Sequence, residues 1–445
     1  MAQPTSPTKL VDTDGMPPGI PFIIGNEAAE RFCFYGMRTI LVVYMTQFLV
    51  NRSGVLAVMS KEDAKGWFHL FVSAVYFLPF FGAILSDAFW GKYRTILWLS
   101  LVYCLGSFML AVDGTQFGLL VGLALIAIGS GGIKPCVSAN VGDQFGPRNR
   151  HLLTKVFGWF YFSINFGSFF STMLTPWLLA EYGPRIAFGV PGVFMLLATL
   201  VFWLGRHKFV RVPPAGKDFL RETFSADSLR IIGGLIPIFL AEAVFWSLWD
   251  QTGSAWVLQA EKMDLTTLGF TWLPSQVQAV NPILILLLIP VCTYFLYPAI
   301  SKVFPLTPLR KISIGMFITV PSFLLTGWVE SQLQAGLQPS IWWQFLGFLI
   351  ISLAEIMVSI TFLEFAYTQA PKKLKSLIMS LNLMSISLGN LVTAGINFFI
   401  QNRDGTSKLP GATYFYFFAG MMFLTAIGFI FIARRYRART VTDEG

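Results

Sequence analysis

The sequence predicts an all-α integral membrane protein in which twelve transmembrane helices form two bundles of six. Of its 445 residues, 55% are hydrophobic and only 12% are charged, whereas soluble domains carry about 25% charged residues. Several uncharged runs approach or exceed the roughly 20 apolar residues that a helix needs to cross a bilayer core. The longest polar stretch, residues 206–230, divides the apolar segments into two equal groups.

We assign the uncharged runs as spans first and the other long apolar segments after them. Several windows contain no charged residue, among them 95–112, 114–133, 186–205, 312–329 and 411–433. Other spans carry isolated charges. In the first half of the chain, the predicted spans are 22–50, 66–87, 93–112, 115–140, 152–180 and 186–205. In the second half, they are 230–258, 276–300, 311–329, 341–368, 376–401 and 411–433.

The predicted domains follow from this division. They are an N-terminal six-helix bundle at 1–205, a cytoplasmic linker at 206–229 and a C-terminal six-helix bundle at 230–445. If both termini are cytoplasmic, the inner segments hold about three times as many Lys and Arg residues as the outer loops, as the positive-inside rule requires. We therefore predict a multi-pass protein of the cell membrane with both termini inside, and the net charge of +9 needs no nucleic-acid partner.

Two groups of six helices joined by a cytoplasmic linker are the layout of the major facilitator fold, whose halves rock about a central site. Residues 87–94, Asp-Ala-Phe-Trp-Gly-Lys-Tyr-Arg, are similar to the Asp-x-x-x-Gly-Arg/Lys loop of that superfamily. An ordinary basic inner loop is the alternative interpretation. The sequence favours the major facilitator fold among the twelve-helix carriers.

The first span carries four ionisable residues, Glu27, Glu30, Arg31 and Arg38, which a helical period places on one face. An ionised side chain in mid-membrane costs about 2.5 to 3.5 kcal/mol on insertion scales, so it is kept mainly where it faces a cavity or a partner. We expect a proton-handling site here. A structural ion pair between helices is the alternative, although apolar packing often replaces such pairs at little loss.

A further charge, Lys134, follows a long uncharged run and lies nine residues before Asp143, roughly 13 Å along a helix. We expect it to face the interior, and a side chain that snorkels to the surface is the alternative. The preceding Gly129-Ser-Gly-Gly132 lacks the Walker spacing of a phosphate-binding loop. No ATP site is predicted.

In the second half, Glu242, Trp246 and Asp250 form one stripe along the seventh span, and Glu355 and Ser359 lie one turn apart on the tenth. The intramembrane charges of the first half are therefore mostly basic, and those of the second half are acidic. A zwitterion with its carboxylate toward the first half and its ammonium toward the second would complement this field.

Five motifs in order resemble those of the proton-dependent oligopeptide transporter (POT/PTR) family of the major facilitator superfamily. They are Glu27-Ala-Ala-Glu-Arg-Phe-Cys-Phe-Tyr-Gly36, Gly131-Gly-Ile-Lys-Pro-Cys-Val-Ser138, Phe160-Tyr-Phe-Ser-Ile-Asn-Phe-Gly-Ser168, Phe245-Trp-Ser-Leu-Trp-Asp-Gln-Thr-Gly-Ser254 and Glu364-Phe-Ala-Tyr-Thr-Gln-Ala-Pro371. The resemblance runs from the first span to the tenth. It implies a symporter that imports di- and tripeptides with protons by alternating access in the lipid bilayer, without a cofactor or ATP.

The resemblance also implies roles for individual residues. Arg38 and Lys134 would hold the peptide carboxylate, and Glu355 with Asn165 and Asn281 the peptide amine. Proton coupling would involve Glu27, Glu30, Arg31, Asp250 and His69. Side-chain pockets would be lined by Tyr35, Tyr76 and Trp246, and Ser359 is included among the substrate contacts by its position next to Glu355. An interfacial histidine is the alternative for His69, which titrates in the physiological range.

Two positions depart from the family pattern. Phe34 stands where many relatives have a substrate-facing tyrosine, and Asn382 where many have tryptophan. Peptide preference is expected to differ accordingly.

Two other functions stay open as alternatives. A carrier of the same fold could transport another small solute such as nitrate, because fold does not determine substrate. A membrane-embedded enzyme or a channel belongs to a different class. An enzyme needs a nucleophile with a base or a set of metal ligands, and the three histidines have no metal spacing. A channel needs a filter or a charged ring, and no such pattern occurs in the sequence.

Overall fold

The computed structural model describes residues 14–214, 216, 226–369, 375–402 and 406–436, and these are almost entirely helical. The α-helices are α1 (Ile20–Gln47), α2 (Lys61–Ile84), α3 (Lys92–Val112), α4 (Gln116–Asp143), α5 (Leu153–Leu204), α6 (Ala226–Trp249), α7 (Ala255–Ala260), α8 (Val280–Val291), α9 (Tyr297–Val303), α10 (Pro308–Gln334), α11 (Trp342–Glu355), α12 (Thr361–Gln369), α13 (Lys375–Ile400) and α14 (Ala412–Arg435). The strands β1 (Thr266–Thr267) and β2 (Phe270–Thr271) form a small antiparallel hairpin. Residues 215 and 217–225 of the predicted linker, the end of the motif at 364–371 and both chain termini lie outside the described residues.

Ten helical segments of the described chain are long and apolar enough to cross a bilayer. Helix α1 is not one of them because its charged residues lower its mean hydropathy. Helix α5 is broken at Gly183, whose φ of 76° lies in the left-handed region that favours glycine. This break falls between the predicted spans 152–180 and 186–205, so the helices fit the predicted count of twelve.

Three π-helical turns interrupt or extend the spans, at Leu85–Trp90, Cys292–Leu296 and Ile356–Ile360. Sequence periodicity treats each of these spans as regular α-helix. A π-helical turn bonds residue i to i+5 and is frequent at functional sites. The third turn begins directly after Glu355, so it changes the direction of every side chain that follows, including that of Ser359.

The helices pack into two compact units. The first comprises Met1–Val58 and Ala74–Phe224, and the second comprises Met59–Ser73 and Ser225–Gly445. The first half of α2, up to Ser73, therefore belongs to the second unit, and the remainder of α2 belongs to the first. The predicted domains at 1–205, 206–229 and 230–445 did not anticipate this division of one helix, and their boundaries stay a prediction.

Each unit has its own apolar core. In the first, α1 packs against α5 and α4, and α3 packs against α4 and α5; Tyr44, Tyr103 and Phe188 are fully buried there. In the second, α6 packs against α13 and α14, and α10 packs against α11 and α14. The ring of Trp256 lies against Phe323 and Phe348 in that core. The helices that carry the polar side chains pack against these cores, which fix their positions.

Candidate functional site

The first unit contains a buried acid–base cluster on α1. The Nε atom of Arg31 lies 2.9 Å from a carboxylate oxygen of Glu27 and 2.7 Å from one of Glu30. All three side chains are buried, and Glu30 is fully so. The hydroxyl of Ser130 on α4 donates to the other oxygen of Glu30 at 3.1 Å. The guanidinium group of Arg31 thus pairs with two carboxylates in the buried interior of the unit.

The cluster is enclosed because α5 approaches α1 closely at Gly167. A Cβ atom at this position would lie 2.6 Å from the carbonyl oxygen of Ala28 and 3.1 Å from the backbone nitrogen of Phe32. Only glycine allows the two backbones to come this near. The glycine of the Phe160–Ser168 motif is therefore explained by packing beside the cluster.

The ammonium group of Lys134 lies between two aromatic rings. Its Nζ atom is 4.1 Å from the ring centroid of Phe34 and 4.1 Å from that of Tyr76. Among the described residues, Nζ is buried and has no hydrogen-bond partner. Cation–π contacts stabilise the charge by about 2 kcal/mol or more when desolvated, but the three N–H donors of an ammonium stay unused. No described residue therefore supplies a hydrogen-bond acceptor to this ammonium group.

Three further predicted residues lie in the same unit. Arg38 is buried on α1, two turns after Arg31, and Tyr35 is half-buried on the same helix. The amide nitrogen of Asn165 donates to the carbonyl of Tyr161 at 2.9 Å, one turn earlier on α5. The role of Asn165 in holding a peptide amine stays a prediction.

In the second unit, Glu355 at the end of α11 is the centre of a hydrogen-bonded group. One of its oxygens accepts from the indole N–H of Trp249 at 2.8 Å and from the amide of Asn281 at 2.8 Å. The same amide nitrogen lies 3.0 Å from the hydroxyl oxygen of Ser352. The structure thus brings together Glu355 and Asn281 as the sequence predicts, and adds Trp249. Ser359 is half-buried in the π-helical turn that follows.

A second polar group in this unit joins His69 to Asp250 through Asn390. The amide nitrogen of Asn390 donates to Asp250 at 2.6 Å, and its amide oxygen lies 2.7 Å from Nδ1 of His69. The other ring nitrogen, Nε2, lies 2.8 Å from the hydroxyl of Ser254. His69 is fully buried, so it is not an interfacial side chain.

The hydrogen bonds of Asn390 define the tautomer of His69. Its amide nitrogen also donates to the carbonyl of Ile386 at 3.0 Å, so its oxygen is the atom that faces the imidazole. An oxygen only accepts, and Nδ1 must therefore carry the hydrogen. Nε2 either accepts from Ser254 or, when protonated, donates to it. A proton taken up by His69 would consequently enter on the side of Ser254.

Trp246 is linked to two acidic side chains, directly to one and indirectly to the other. Its indole N–H donates to Glu242 at 3.1 Å. Its ring centroid is 5.4 Å from that of Trp249, whose indole N–H donates to Glu355. The stripe predicted along the seventh span is thus continuous for Glu242 and Trp246. Asp250 lies at the turn that ends α6.

Sequence reasoning missed Ser130, Trp249, Ser254 and Asn390. Their signal in the sequence is weak, because one polar residue in an apolar helix is common. The polar residues of α13 offer the clearest pattern, since Ser385, Asn390, Thr393 and Asn397 are among its several buried polar residues. Their partners are far away in the chain and cannot be read from spacing.

Known proteins resemble this chain over most of its length. The family model described as PTR2, POT family, matches residues 93–227 and 222–412. The chain is 38% identical over 365 residues to the protein named peptide transporter family 1 of Drosophila melanogaster, covering 72% of this chain and 48% of that protein. It is 33% identical over 407 residues to human solute carrier family 15 member 2, covering 80% of this chain and 54% of that protein. The chain thus spans about half of the length of these relatives.

A solved structure resembles the whole chain. The crystal structure of the POT family transporter PepTSo superimposes with a TM-score of 0.86 at 37% identity and covers 95% of this chain and 99% of that one. The predicted fold class, two six-helix bundles in the major facilitator arrangement, is confirmed by this match. The similar proteins are named as transporters, not enzymes.

Proposed function

Because this chain belongs to the POT family, we propose that it is a symporter that imports di- and tripeptides with protons by alternating access. It is a multi-pass membrane protein, and we place it in the cell membrane with both termini in the cytoplasm. The proposal includes no cofactor and no ATP, since the proton gradient supplies the driving force. It rests on the names of the similar peptide transporters and on the side chains of each unit.

The observation that carries the proposal is the buried ammonium of Lys134. A buried charge is costly unless it is paired and hydrogen-bonded, and Nζ of Lys134 has aromatic rings but no hydrogen-bond acceptor among the described residues. The carboxylate of a peptide supplies both the opposite charge and the acceptor oxygens. Arg38, buried in the same unit, is the second basic group proposed for this carboxylate.

The second unit contains a carboxylate suited to a peptide amine. One oxygen of Glu355 accepts hydrogen bonds from Trp249 and Asn281. These bonds hold the carboxylate in a defined orientation. A peptide ammonium would form a charge-assisted hydrogen bond with such a carboxylate. Because Lys134, Arg38 and Glu355 would bind only the terminal charged groups of a peptide, we expect the protein to accept peptides with many different side chains.

The acid–base cluster on α1 supports proton coupling. Arg31 is engaged by both Glu27 and Glu30, so the group carries one excess negative charge when both acids are ionised. Protonation of either acid removes this excess, and the basic groups of the unit then attract an anionic carboxylate more strongly. Proton and peptide binding consequently favour each other, and this coupling is reciprocal.

Uptake into liposomes tests the proposal. Purified full-length protein is reconstituted, the outside is acidified, and entry of labelled dialanine is followed with and without unlabelled dipeptides. We expect accumulation that a proton ionophore abolishes and unlabelled dipeptides compete for. Nitrate-competed uptake without dipeptide competition would favour a carrier of another solute, and single-channel current would favour a channel. Failure to concentrate any dipeptide contradicts the proposal.

A further inference from the structure

The carboxyl group of Glu242 has no role in the sites proposed above. It lies within α6 and is fully buried. One carboxyl oxygen accepts from the indole N–H of Trp246 at 3.1 Å, and the other lies 2.6 Å from the hydroxyl oxygen of Ser385 on α13. Its surroundings indicate which protonation state it has in this conformation.

The hydrogen atoms at Ser385 can be counted. Its hydroxyl oxygen lies 2.6 Å from Glu242 and 2.7 Å from the carbonyl oxygen of Asn382. A serine hydroxyl has one hydrogen to donate, a backbone carbonyl has none, and an ionised carboxylate has none. Each short contact has a hydrogen atom of its own, rather than a share of one bifurcated hydrogen, when Glu242 carries a proton and donates it to Ser385, which then donates to Asn382.

The charges around Glu242 agree with a neutral carboxyl. Among the described residues, no Lys, Arg or His contacts it, in contrast to Glu27 and Glu30, which share Arg31. The two helices with the most extensive packing against α6 are α13, which has no ionisable side chain between Ser380 and Ile400, and α14, which carries Tyr414, Tyr416, Arg434 and Arg435. Three further ionisable side chains near α6 are acids: Asp250 in the following turn, Glu355 at the end of α11, which bonds to Trp249, and Glu364 on α12, which contacts α6 through Phe362. An ionised and unpaired carboxylate in this place would be costly.

The position of Glu242 connects it to the proposed amine site. The indole of Trp246 donates to Glu242 and lies against the ring of Trp249, and Trp249 donates to Glu355. Two carboxyl groups thus hold two adjoining indoles. When Glu242 loses its proton, Ser385 must turn its hydrogen from Asn382 to the carboxylate, and the bond from Trp246 becomes charge-assisted and stronger.

We propose that Glu242 is a further proton-binding site of this protein, separate from the Glu27/Glu30/Arg31 cluster, and that its protonation state sets how firmly Trp246 is held beside the amine site. Ser385 is the hydrogen-bond acceptor for this proton. The proposal rests on the proposed peptide symport for its consequence in transport, but the presence of the proton on Glu242 is independent of it.

Infrared spectroscopy of the purified full-length protein tests the proton directly. The carbonyl stretch of a protonated carboxyl group is compared at neutral pH between wild type and Glu242→Gln, with Glu364→Gln, an exposed acid of the same unit, as the matched control. We expect a band that Glu242→Gln removes and Glu364→Gln leaves. Identical spectra for wild type and Glu242→Gln overturn the proposal.

A second variant covers the case in which Glu242→Gln does not fold. Ser385→Ala removes the acceptor of the proton but leaves the carboxyl group in place, so the band should shift in frequency while keeping its intensity. An unshifted band in Ser385→Ala overturns the assignment of this contact. Neither infrared result requires that the protein transports peptides, so failure of the proposed function is seen separately.

The consequence in transport is measured in liposomes as the number of protons that enter per peptide. We expect this ratio to fall by about one in Glu242→Gln, with counterflow exchange retained and a flatter pH profile of uptake. The control Glu364→Gln should match wild type. A ratio and a pH profile equal to those of wild type overturn the coupling between Glu242 and transport, whatever the infrared spectrum shows.

Discussion

At the scale of single residues, the intramembrane charges differ in the partners that the chain gives them. Glu27 and Glu30 share Arg31, Glu355 is held by neutral donors, and Lys134 lies between aromatic rings. Ionisable residues inside a membrane are kept mainly where they bind protons or substrates or pair with one another. The difference in partners indicates which substitutions affect substrate and which affect protons.

Replacing Glu30 by Gln is expected to uncouple transport from protons. The amide keeps the size of the side chain and an oxygen for Ser130, but it removes the charge opposite Arg31 and cannot release a proton. Accumulation driven by a pH gradient should be lost, while counterflow exchange of labelled dialanine persists. The exposed Glu181→Gln serves as control. Gradient-driven accumulation in Glu30→Gln that equals wild type contradicts the role of this residue.

Replacing Lys134 by Met is expected to weaken binding of the peptide carboxylate. A hydrogen bond to a charged group contributes about 1.5 to 3 kcal/mol, so the KM for dialanine should rise roughly tenfold to a hundredfold. Uptake kinetics in liposomes measure this change, with the exposed Lys155→Met as control. Dialanine amide, which has no carboxylate, should be transported equally poorly by wild type and variant. An equal loss of affinity for both compounds would remove Lys134 from carboxylate binding.

Replacing Glu355 by Gln is expected to weaken binding of the peptide amine. The amide can still accept from Trp249 and Asn281, so the change removes charge more than geometry. Competition assays should show a larger loss of affinity for dialanine than for N-acetyl-dialanine. If both peptides lose affinity by the same factor, Glu355 does not bind the amine.

At the scale of helices, close backbone contacts determine which surfaces meet. Helix α13 approaches α6 at Gly389, where an added Cβ would collide with the carbonyl oxygen of Ala243 and lie 2.9 Å from the nitrogen of Ser247. This approach brings Ser385 to Glu242 and Thr393 to Ser247. These polar contacts between α6 and α13 thus depend on the close approach at Gly389.

Gly389→Ala is therefore expected to destabilise the protein by about 1 to 3 kcal/mol, because overpacking forces the two backbones apart. Gly395→Ala on the same helix is the matched control, since no heavy atom outside its own helix backbone lies within 4 Å of the added Cβ. Alanine there should be neutral or stabilising by up to about 1 kcal/mol. Thermal unfolding in detergent measures both. A melting temperature of Gly389→Ala at or above that of Gly395→Ala contradicts the interpretation.

At the scale of the whole molecule, the chain consists of two units that contain different chemistry. The first holds the acid–base cluster and Lys134, and the second holds Glu242, Asp250 and Glu355. Residues Met59–Ser73 belong to the second unit although they precede most of the first in sequence. Because Met59–Ser73 packs within the second unit, His69 lies beside Asn390, which links it to Asp250.

The driving force for uptake is a property of the whole molecule. One positive charge that moves inward gains about 2.3 kcal/mol per 100 mV, and about 1.4 kcal/mol corresponds to a factor of ten in concentration. Liposomes with a potential of about 100 mV, negative inside, should therefore concentrate a stable dipeptide more than tenfold. Steady-state ratios of inner to outer peptide measure this. A ratio near one that the potential does not change contradicts electrogenic symport.

Helical spacing alone predicted the side chains that share one helix face. Glu27 and Arg31 lie four residues apart on α1 and form an ion pair, and Glu242 and Trp246 lie four apart on α6 and form a hydrogen bond. The spans were predicted from the length of the apolar runs. The hydrocarbon core of a bilayer sets the length of a spanning helix and requires its backbone groups to bond to one another. The π-helical turn after Glu355 lay beyond such reasoning, since it depends on how α11 packs with its neighbours.

The sequence by itself determined the fold class, the order of the spans and the type of ion each span carries, because these depend on local composition and periodicity. Only the tertiary structure decided that His69 contacts Asn390, 321 residues away, that Ser385 lies 2.6 Å from Glu242, and that Lys134 lies between Phe34 and Tyr76. Such contacts join different helices. Helix packing sets them through the summed fit of many apolar side chains, and no spacing within one segment encodes that fit.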